Sequence, residues 1–307
     1  MLTSAASLAL SLVRQARSGG VIINEHTLTQ AETRRHVETL GRHFEFIHPH
    51  EVPSRLKGTS KRPFCLLTFD DGKKSNATQS APELYRMGIP ALFFVTTGFL
   101  DTREPLWFDR YTDVINTLGY VPEGLERETL KRLPFHVLAT RLGKFAPTQS
   151  WALRSSSEDV AAMSWDEVRR LRQLGFGIGA HGVRHAILTR ESREVAVAEI
   201  RESMRRVSAE TGAGCSAFAF PNGNYTAELC QCAVNAGASI VMTTEPAWVK
   251  SHDRLSRLPR IQIRGPDSPA KIMAKISLAV AEGALANPDG TGRSYYFVRR
   301  MARRFMP

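Results

Sequence analysis

The chain has only four cysteines in 307 residues, Cys65, Cys215, Cys230 and Cys232, and none forms a CxxC pair. That excludes a disulfide-stapled scaffold and a cysteine zinc finger, and it fits reduced thiols in a cytoplasmic protein. No run of eighteen apolar residues occurs, which excludes a conventional membrane-spanning helix. The short apolar segment from Ala5 to Leu10 has no basic residue before it, and its first arginines, Arg14 and Arg17, follow it, so it is a poor secretion signal. Internal repeats and long low-complexity tracts are also missing. Negative charge is in short supply: 41 Lys and Arg outnumber 30 Asp and Glu, for a net charge of +11. An acidic partner is implied, whether nucleic acid, anionic lipid or an anionic substrate. No zinc finger, base-reading helix or aromatic RNA-binding signature accompanies the charge, so no nucleic acid is expected.

A hydrophobic content of 42% over this length is enough for one large core. Short apolar or β-branched runs at Val21–Ile23, Cys65–Phe69, Ala91–Thr96, Phe176–Ala180, Ala217–Phe220, Ile240–Thr243 and Ile261–Ile263 predict seven strands. Helical patterns lie between them at Gln30–His43, Ala77–Met87, Trp165–Leu174, Glu191–Glu210, Ala227–Asn235 and Ala270–Ala281. Ser164 with Glu167 reads as a capping box, and Gly88 and Gly175 stand just past helix ends. Strands alternating with helices predict a parallel, closed α/β sheet. The segment 99–162, with Leu106-Trp107-Phe108-Asp109 and Pro134-Phe135, breaks the alternation and reads as an insertion that shapes a substrate cleft.

Thr68-Phe69-Asp70-Asp71-Gly72 closes the apolar run Cys65-Leu66-Leu67 and so places two adjacent carboxylates at the C-terminal end of a buried strand. α/β barrels carry their chemistry there. Paired aspartates repel one another, and burying them requires a compensating cation or an acid/base role. Further along, Gly177-Ile178-Gly179-Ala180-His181-Gly182-Val183-Arg184-His185 carries two imidazoles four residues apart, a spacing that predicts a shared face on one helical turn. With one of the carboxylates, His181 and His185 complete a set of three protein ligands that leaves coordination positions open for water.

In these motifs the chain resembles the polysaccharide deacetylases that share the NodB homology domain. The resemblance runs in order through TFDDG at 68–72, MSWDEVRRLRQLGFGIGAHGVRH at 163–185, FAFPNGNY at 218–225 and LPRIQI at 258–263, and covers roughly residues 20–265. It implies an α/β fold, the distorted (β/α)7 barrel of that family. It also implies a domain layout: an N-terminal extension at 1–19, a catalytic barrel at 20–265 with its insertion at 99–162, and a C-terminal helix and basic tail at 266–307. Two departures stand out. Gly182 follows His181 where the family has a serine or threonine, and Phe218-Ala219-Phe220-Pro221 lacks the arginine that the third motif often carries.

The resemblance assigns Asp71, His181 and His185 to one divalent metal, with zinc expected and cobalt, nickel or manganese as alternatives. It makes Asp70 the general base. Such a metal acidifies water and polarises a carbonyl, and two nitrogens with one carboxylate suit a transition metal better than calcium or magnesium. The tetrahedral oxyanion needs a backbone donor as well. Pro221 has no N–H, which leaves Asn222 in the turn that Gly223 permits. The family's histidine acid after the third motif is missing. His26, at the end of Val21-Ile22-Ile23-Asn24-Glu25-His26, is similar in placement to the histidine of the circularly permuted poly-N-acetylglucosamine deacetylase branch, and it is preferred to His252. Arg260 is the candidate for the absent arginine. The expected reaction is removal of an N-acetyl group from an amino sugar in a polysaccharide, oligosaccharide or lipid-linked saccharide. A deformylase, an O-acetyl esterase and a catalytically lapsed carbohydrate-binding barrel remain open alternatives.

At helical spacing, Arg299, Arg300, Arg303 and Arg304 fall on one arc of the tail, and Tyr295, Phe297, Val298, Met301, Phe305 and Met306 on the other. This predicts either a helix on an anionic membrane surface or one packed on the barrel. The corresponding localisation is cytoplasmic, peripheral to the membrane in the first case.

Overall fold

The computed structural model describes residues 19–285 except Thr59, Arg103, 146–156 and His252. The basic tail and His252 therefore lie outside the described residues.

Eight parallel strands form the sheet: β1 (Gly20–Glu25), β2 (Glu45–Phe46), β3 (Phe64–Phe69), β4 (Ala91–Val95), β5 (Gly177–Ala180), β6 (Ala217–Ala219), β7 (Ile240–Met242) and β8 (Ile261–Gln262). Seven follow the order β7-β6-β5-β4-β3-β1-β8, while β2 pairs only with the start of β3. A parallel bridge from Met242 to Leu258 ties β7 to the segment leading into β8, so the sheet returns on itself. The fold is α/β, a distorted (β/α)7 barrel. Its seven main strands are those that the apolar runs predict. The additional strand, β2, is two residues long and shows no period to read.

Helices α1 (Gln30–Gly41), α2 (Val52–Lys57), α3 (Ala81–Arg86), α4 (Trp107–Leu118), α5 (Arg127–Leu130), α6 (Phe135–Gly143), α7 (Trp165–Gln173), α8 (Arg193–Thr211), α9 (Ala227–Asn235) and α10 (Pro269–Leu285) complete the described chain. The capping box at α7 forms, with Ser164 Oγ accepting the Glu167 N–H at 3.1 Å. Gly88 and Gly175 take φ of +67° and +92° just beyond α3 and α7. No helix of the described residues is long and apolar enough to cross a membrane.

The two-residue period of a strand divides the core into layers. Val21 and Ile23 of β1 pack outward with Val37 and Leu40 of α1. Ile22, Phe64, Leu66, Leu92, Phe94, Ala219, Met242 and Leu258 form a separate cluster inside the barrel. Continuing the inward parity along each strand reaches Asn24 and His26 after Ile22, Thr68 and Asp70 after Leu66, and Arg260 after Leu258. Helices α4 to α6 enclose a small core of their own, made by Trp107, Val114, Leu125, Leu130, Leu138 and Leu142.

Candidate active site and metal centre

Where β3 ends, the Asp70 N–H still donates to the Glu25 carbonyl at 3.0 Å, and the backbone then turns sharply. Asp71 takes φ +79° and Gly72 φ +81°. The left-handed region disfavours a residue with a Cβ, so Asp71 is held in a strained conformation at the head of the barrel. A Cβ on Gly72 would lie 3.1 Å from Leu100, which is why glycine completes the turn.

His181 follows β5 and is fixed at both ends. Its N–H donates to the Val95 carbonyl at 2.9 Å, and its Nδ1–H donates to the Ala219 carbonyl at 2.8 Å. Nε2 is thereby left as the free nitrogen, 3.8 Å from Asp71 Oδ1 and 3.9 Å from Asp70 Oδ2. His185 Nε2 stands 3.3 Å from the same Asp71 oxygen. The ligand atoms of Asp71, His181 and His185 all lie within 4.8 Å of one another, and all three residues are buried. Asp71 Oδ1 has no hydrogen-bond partner among the described residues. A buried carboxylate oxygen without a donor, faced by two imidazole nitrogens, is a donor set that a transition metal satisfies. Burial lowers the His181 pKa to about 4, with His185 and Arg260 adding to the effect against the opposing carboxylates, so the ring is neutral and free to ligate at neutral pH. Burial alone would raise Asp71, but His185, His26 and His181 outweigh it and hold the carboxyl far below its ordinary range.

The two histidines do not share a helical turn, contrary to the spacing argument. Residues 181–187 form a loop, with Gly182 at φ +74° and His185 at φ +56°, and two left-handed residues cannot continue a right-handed helix. Glu199 of α8 braces this loop. Its Oε2 accepts the N–H groups of Val183 (2.7 Å) and Arg184 (3.0 Å), and its Oε1 accepts Arg184 Nε at 2.6 Å. With glycine at position 182, the loop takes its support from a carboxylate on the neighbouring helix.

Asp70 is clamped from the other side of the barrel. Arg260 donates from Nη1 to Oδ1 at 2.7 Å and from Nη2 to Oδ2 at 2.8 Å. The guanidinium is itself held by Thr68 Oγ1 at 3.2 Å and the Thr243 carbonyl at 2.9 Å, over the Phe94 ring. Burial pushes the Asp70 carboxyl upward, but the charges of Arg260 and His181 prevail and lower it below the ordinary value.

His26 is half-buried just past the end of β1. It borders a cavity of about 500 Å³ that Thr27, Thr29, Gln262 and Arg264 also line. Asn222 lies exposed in the turn Pro221–Gly223 at φ +58°, with Nδ2 donating to Asn224 Oδ1 at 2.5 Å. The turn adjoins the histidine loop, since a Cβ on Gly182 would lie 3.4 Å from Pro221 Cγ. In the sequence Glu199 and Lys73 carry no role, and Phe108 and Asp109 stand only in the insertion expected to shape the cleft; Lys73, Phe108 and Asp109 meet beside His185. Lys73 directly follows TFDDG, the one cue to its position.

A profile of the polysaccharide deacetylase family matches residues 57–241, more than half of the chain. The chain belongs to the polysaccharide deacetylase family. No curated protein sequence matches it. Among solved structures, this deacetylase is similar to the deacetylase PplD of Streptococcus pyogenes, at 16% identity and a TM-score of 0.60, over 85% of this chain and 99% of the other. IcaB of Ammonifex degensii is similar at 18% identity and a TM-score of 0.58, over 85% and 97% of the two chains. The BpsB deacetylase domain of Bordetella bronchiseptica follows at 17% identity and a TM-score of 0.52, over 80% and 96%. At these identities the three share the fold with this family member.

Proposed function

We propose that this deacetylase removes the N-acetyl group from an N-acetylated amino sugar within a glycan, with Asp70 as general base and Asp71, His181 and His185 as the metal ligands. The observation that carries the reading is the pairing of two differently held carboxylates. Asp71 turns a bare oxygen to two imidazoles, while Asp70 has its two oxygens in the grip of Arg260 and stands 3.9 Å from His181. Environments that separate two adjacent acids in this way assign them different tasks.

A divalent metal bound by these three side chains would acidify water and polarise the acyl carbonyl. Asp70 takes the proton from the attacking water, and Arg260 keeps the carboxylate ionised and oriented for that transfer. Asn222 offers its backbone N–H to the oxyanion, with its left-handed φ aiming the peptide and Pro221 fixing the approach. His26 protonates the departing nitrogen from the mouth of the barrel.

The test is acetate release from a panel of N-acetylated saccharides by metal-loaded protein, alongside metal content per chain. Release of acetate with one equivalent of metal supports the reading. Binding of the same saccharides with no release from amide, formamide or ester would mean a lapsed enzyme.

A further inference from the structure

The two histidines are held by different means. His181 has the Ala219 carbonyl on its Nδ1, whereas His185 Nδ1 is buried with no hydrogen-bond partner among the described residues. A histidine that ligates a metal ordinarily gives its second nitrogen to an acceptor that sets tautomer and ring plane. In place of an acceptor, an aromatic ring stands beside His185. Phe108 meets the imidazole edge-on, with centroids 5.1 Å apart and planes at 70°.

Phe108 is not free to move. Its neighbour Asp109 pairs with the buried Lys73, two residues after Asp71, and Lys73 Nζ lies 5.1 Å from the Phe108 ring centroid and 5.5 Å from that of Phe99. The returning leg of the same segment is fastened to the same stretch of chain. Lys74 N–H donates to Ala161 O at 2.8 Å, Ser75 N–H to Glu158 O at 3.0 Å, and Met163 N–H to Gly72 O at 3.0 Å. On the far side of the histidine loop, the Phe135 ring lies 5.2 Å from the Arg184 guanidinium, and its N–H donates to Glu191 at 2.5 Å. The described parts of the segment 99–162 therefore hold the residues after Asp71 at Phe99, Asp109, Glu158 and Ala161, and the histidine loop at Phe135.

We propose that Phe108, held by the Lys73–Asp109 pair, is the positioning residue for His185, its T-shaped ring contact setting the imidazole plane that no hydrogen-bond acceptor sets and so turning Nε2 toward Asp71. The inference rests on Asp71, His181 and His185 being the ligand set. An edge-to-face contact fixes the plane of the imidazole through the ring quadrupole, a directional preference that an aliphatic side chain of similar bulk lacks. The segment is then a working part of the metal centre.

The experiment compares wild type with Phe108→Leu, Phe108→Ala and Asp109→Asn, each loaded with zinc or cobalt. Zinc release into excess chelator is timed, and the cobalt absorption spectrum reports ligand geometry. Phe108→Leu, which keeps the apolar volume, is expected to bind one metal per chain, release zinc about tenfold faster or more, and shift the cobalt bands. Phe108→Ala should do so more strongly, and Asp109→Asn in the same direction with smaller size. A wild-type release rate and a wild-type cobalt spectrum in Phe108→Leu overturn the proposal. A wild-type protein that retains neither metal overturns the ligand assignment instead, an outcome readily told apart from unaltered variants.

Discussion

Arg260 and Asp70 stand 190 residues apart in sequence and meet in a buried, two-pronged ion pair, 2.7 and 2.8 Å long. Strand parity brings them together, because Thr68 and Asp70 follow the inward face of β3 and Arg260 follows Leu258 on the inward face of the closing segment. A buried carboxylate without this partner would be costly to ionise, and a protonated Asp70 is no base.

Arg260→Lys keeps the charge but loses one prong and the rigid fork. Metal content should be unchanged, turnover should drop at least tenfold, and the acid limb of the kcat/KM profile should move to higher pH as Asp70 becomes easier to protonate. Arg260→Met goes further and leaves the charge uncompensated, with a stability loss of about 3–5 kcal/mol. An acid limb unmoved in Arg260→Lys would separate Arg260 from the proton transfer.

Asp70→Asn has nearly the shape of the native side chain but cannot take a proton, so it should retain metal and lose turnover by about a hundredfold or more. His181→Ala and His185→Ala should lose metal and turnover together. Metal loss in Asp70→Asn would reverse the roles of the two aspartates.

The residues of this site were legible to very different degrees. Asp70, Asp71, His181 and His185 sit in short motifs at strand ends, where local sequence alone places them. Arg260 is legible only as a counterpart to the arginine missing from the third motif, since nothing in Leu258-Pro259-Arg260-Ile261 announces a partner on β3. The helical turn expected for His181 and His185 failed because spacing carries no record of the left-handed φ at Gly182 and His185. The contacts of Glu199, Lys73, Phe108 and Asp109 with the site leave no mark in the sequence, although Phe108 and Asp109 stand in the segment read as shaping the cleft, because those contacts exist only after α8 and that segment have docked. Seven strands were readable from their apolar runs, whereas β2 is too short to show a pattern.

Gly182→Ser restores the residue type usual in the family yet should be harmful here. The backbone is at φ +74°, and a Cβ would stand 3.3 Å from Glu199 Oε2 and 3.4 Å from Pro221 Cγ. A loss of about 1–2 kcal/mol in chemical unfolding is expected, with weaker metal retention because the loop carries both histidines. Glu199→Gln, which keeps the shape and weakens the acceptor, should also loosen metal binding. Full stability and metal content in Gly182→Ser would mean that the loop tolerates the side chain by rearranging.

The metal-free protein should weaken in two stages as pH falls. His181 has its pKa lowered from 6.5 to about 4, so below pH 6.5 the unfolded chain takes up a proton that the folded ring resists, and stability declines down to about pH 4. Asp70 and Asp71 are lowered, so their contribution is complete above the ordinary carboxylate value of about 3.9 and is lost as pH falls through their lower folded values. Urea midpoints measured from pH 8 to pH 3 on chelator-treated protein check this. His181→Asn should remove the upper stage and keep the lower, and a flat profile between pH 6.5 and 4 in the unmutated chain would contradict the buried neutral imidazole.

The test of His26 turns on the leaving group. An amine departing from the tetrahedral intermediate must be protonated, whereas a nitrophenolate leaves without help. His26→Ala should therefore retain metal, lose about a hundredfold in deacetylation of an N-acetylated saccharide, and keep most of its hydrolysis of a nitrophenyl acetate ester. Asp70→Asn should lose both reactions, because attack by water precedes either departure. His252→Ala serves as the comparison, with both rates near wild type. Equal losses on amide and ester in His26→Ala would move His26 from proton donor to binding or orientation, and a selective loss of the amide reaction in His252→Ala would place the acid on the C-terminal side of the barrel.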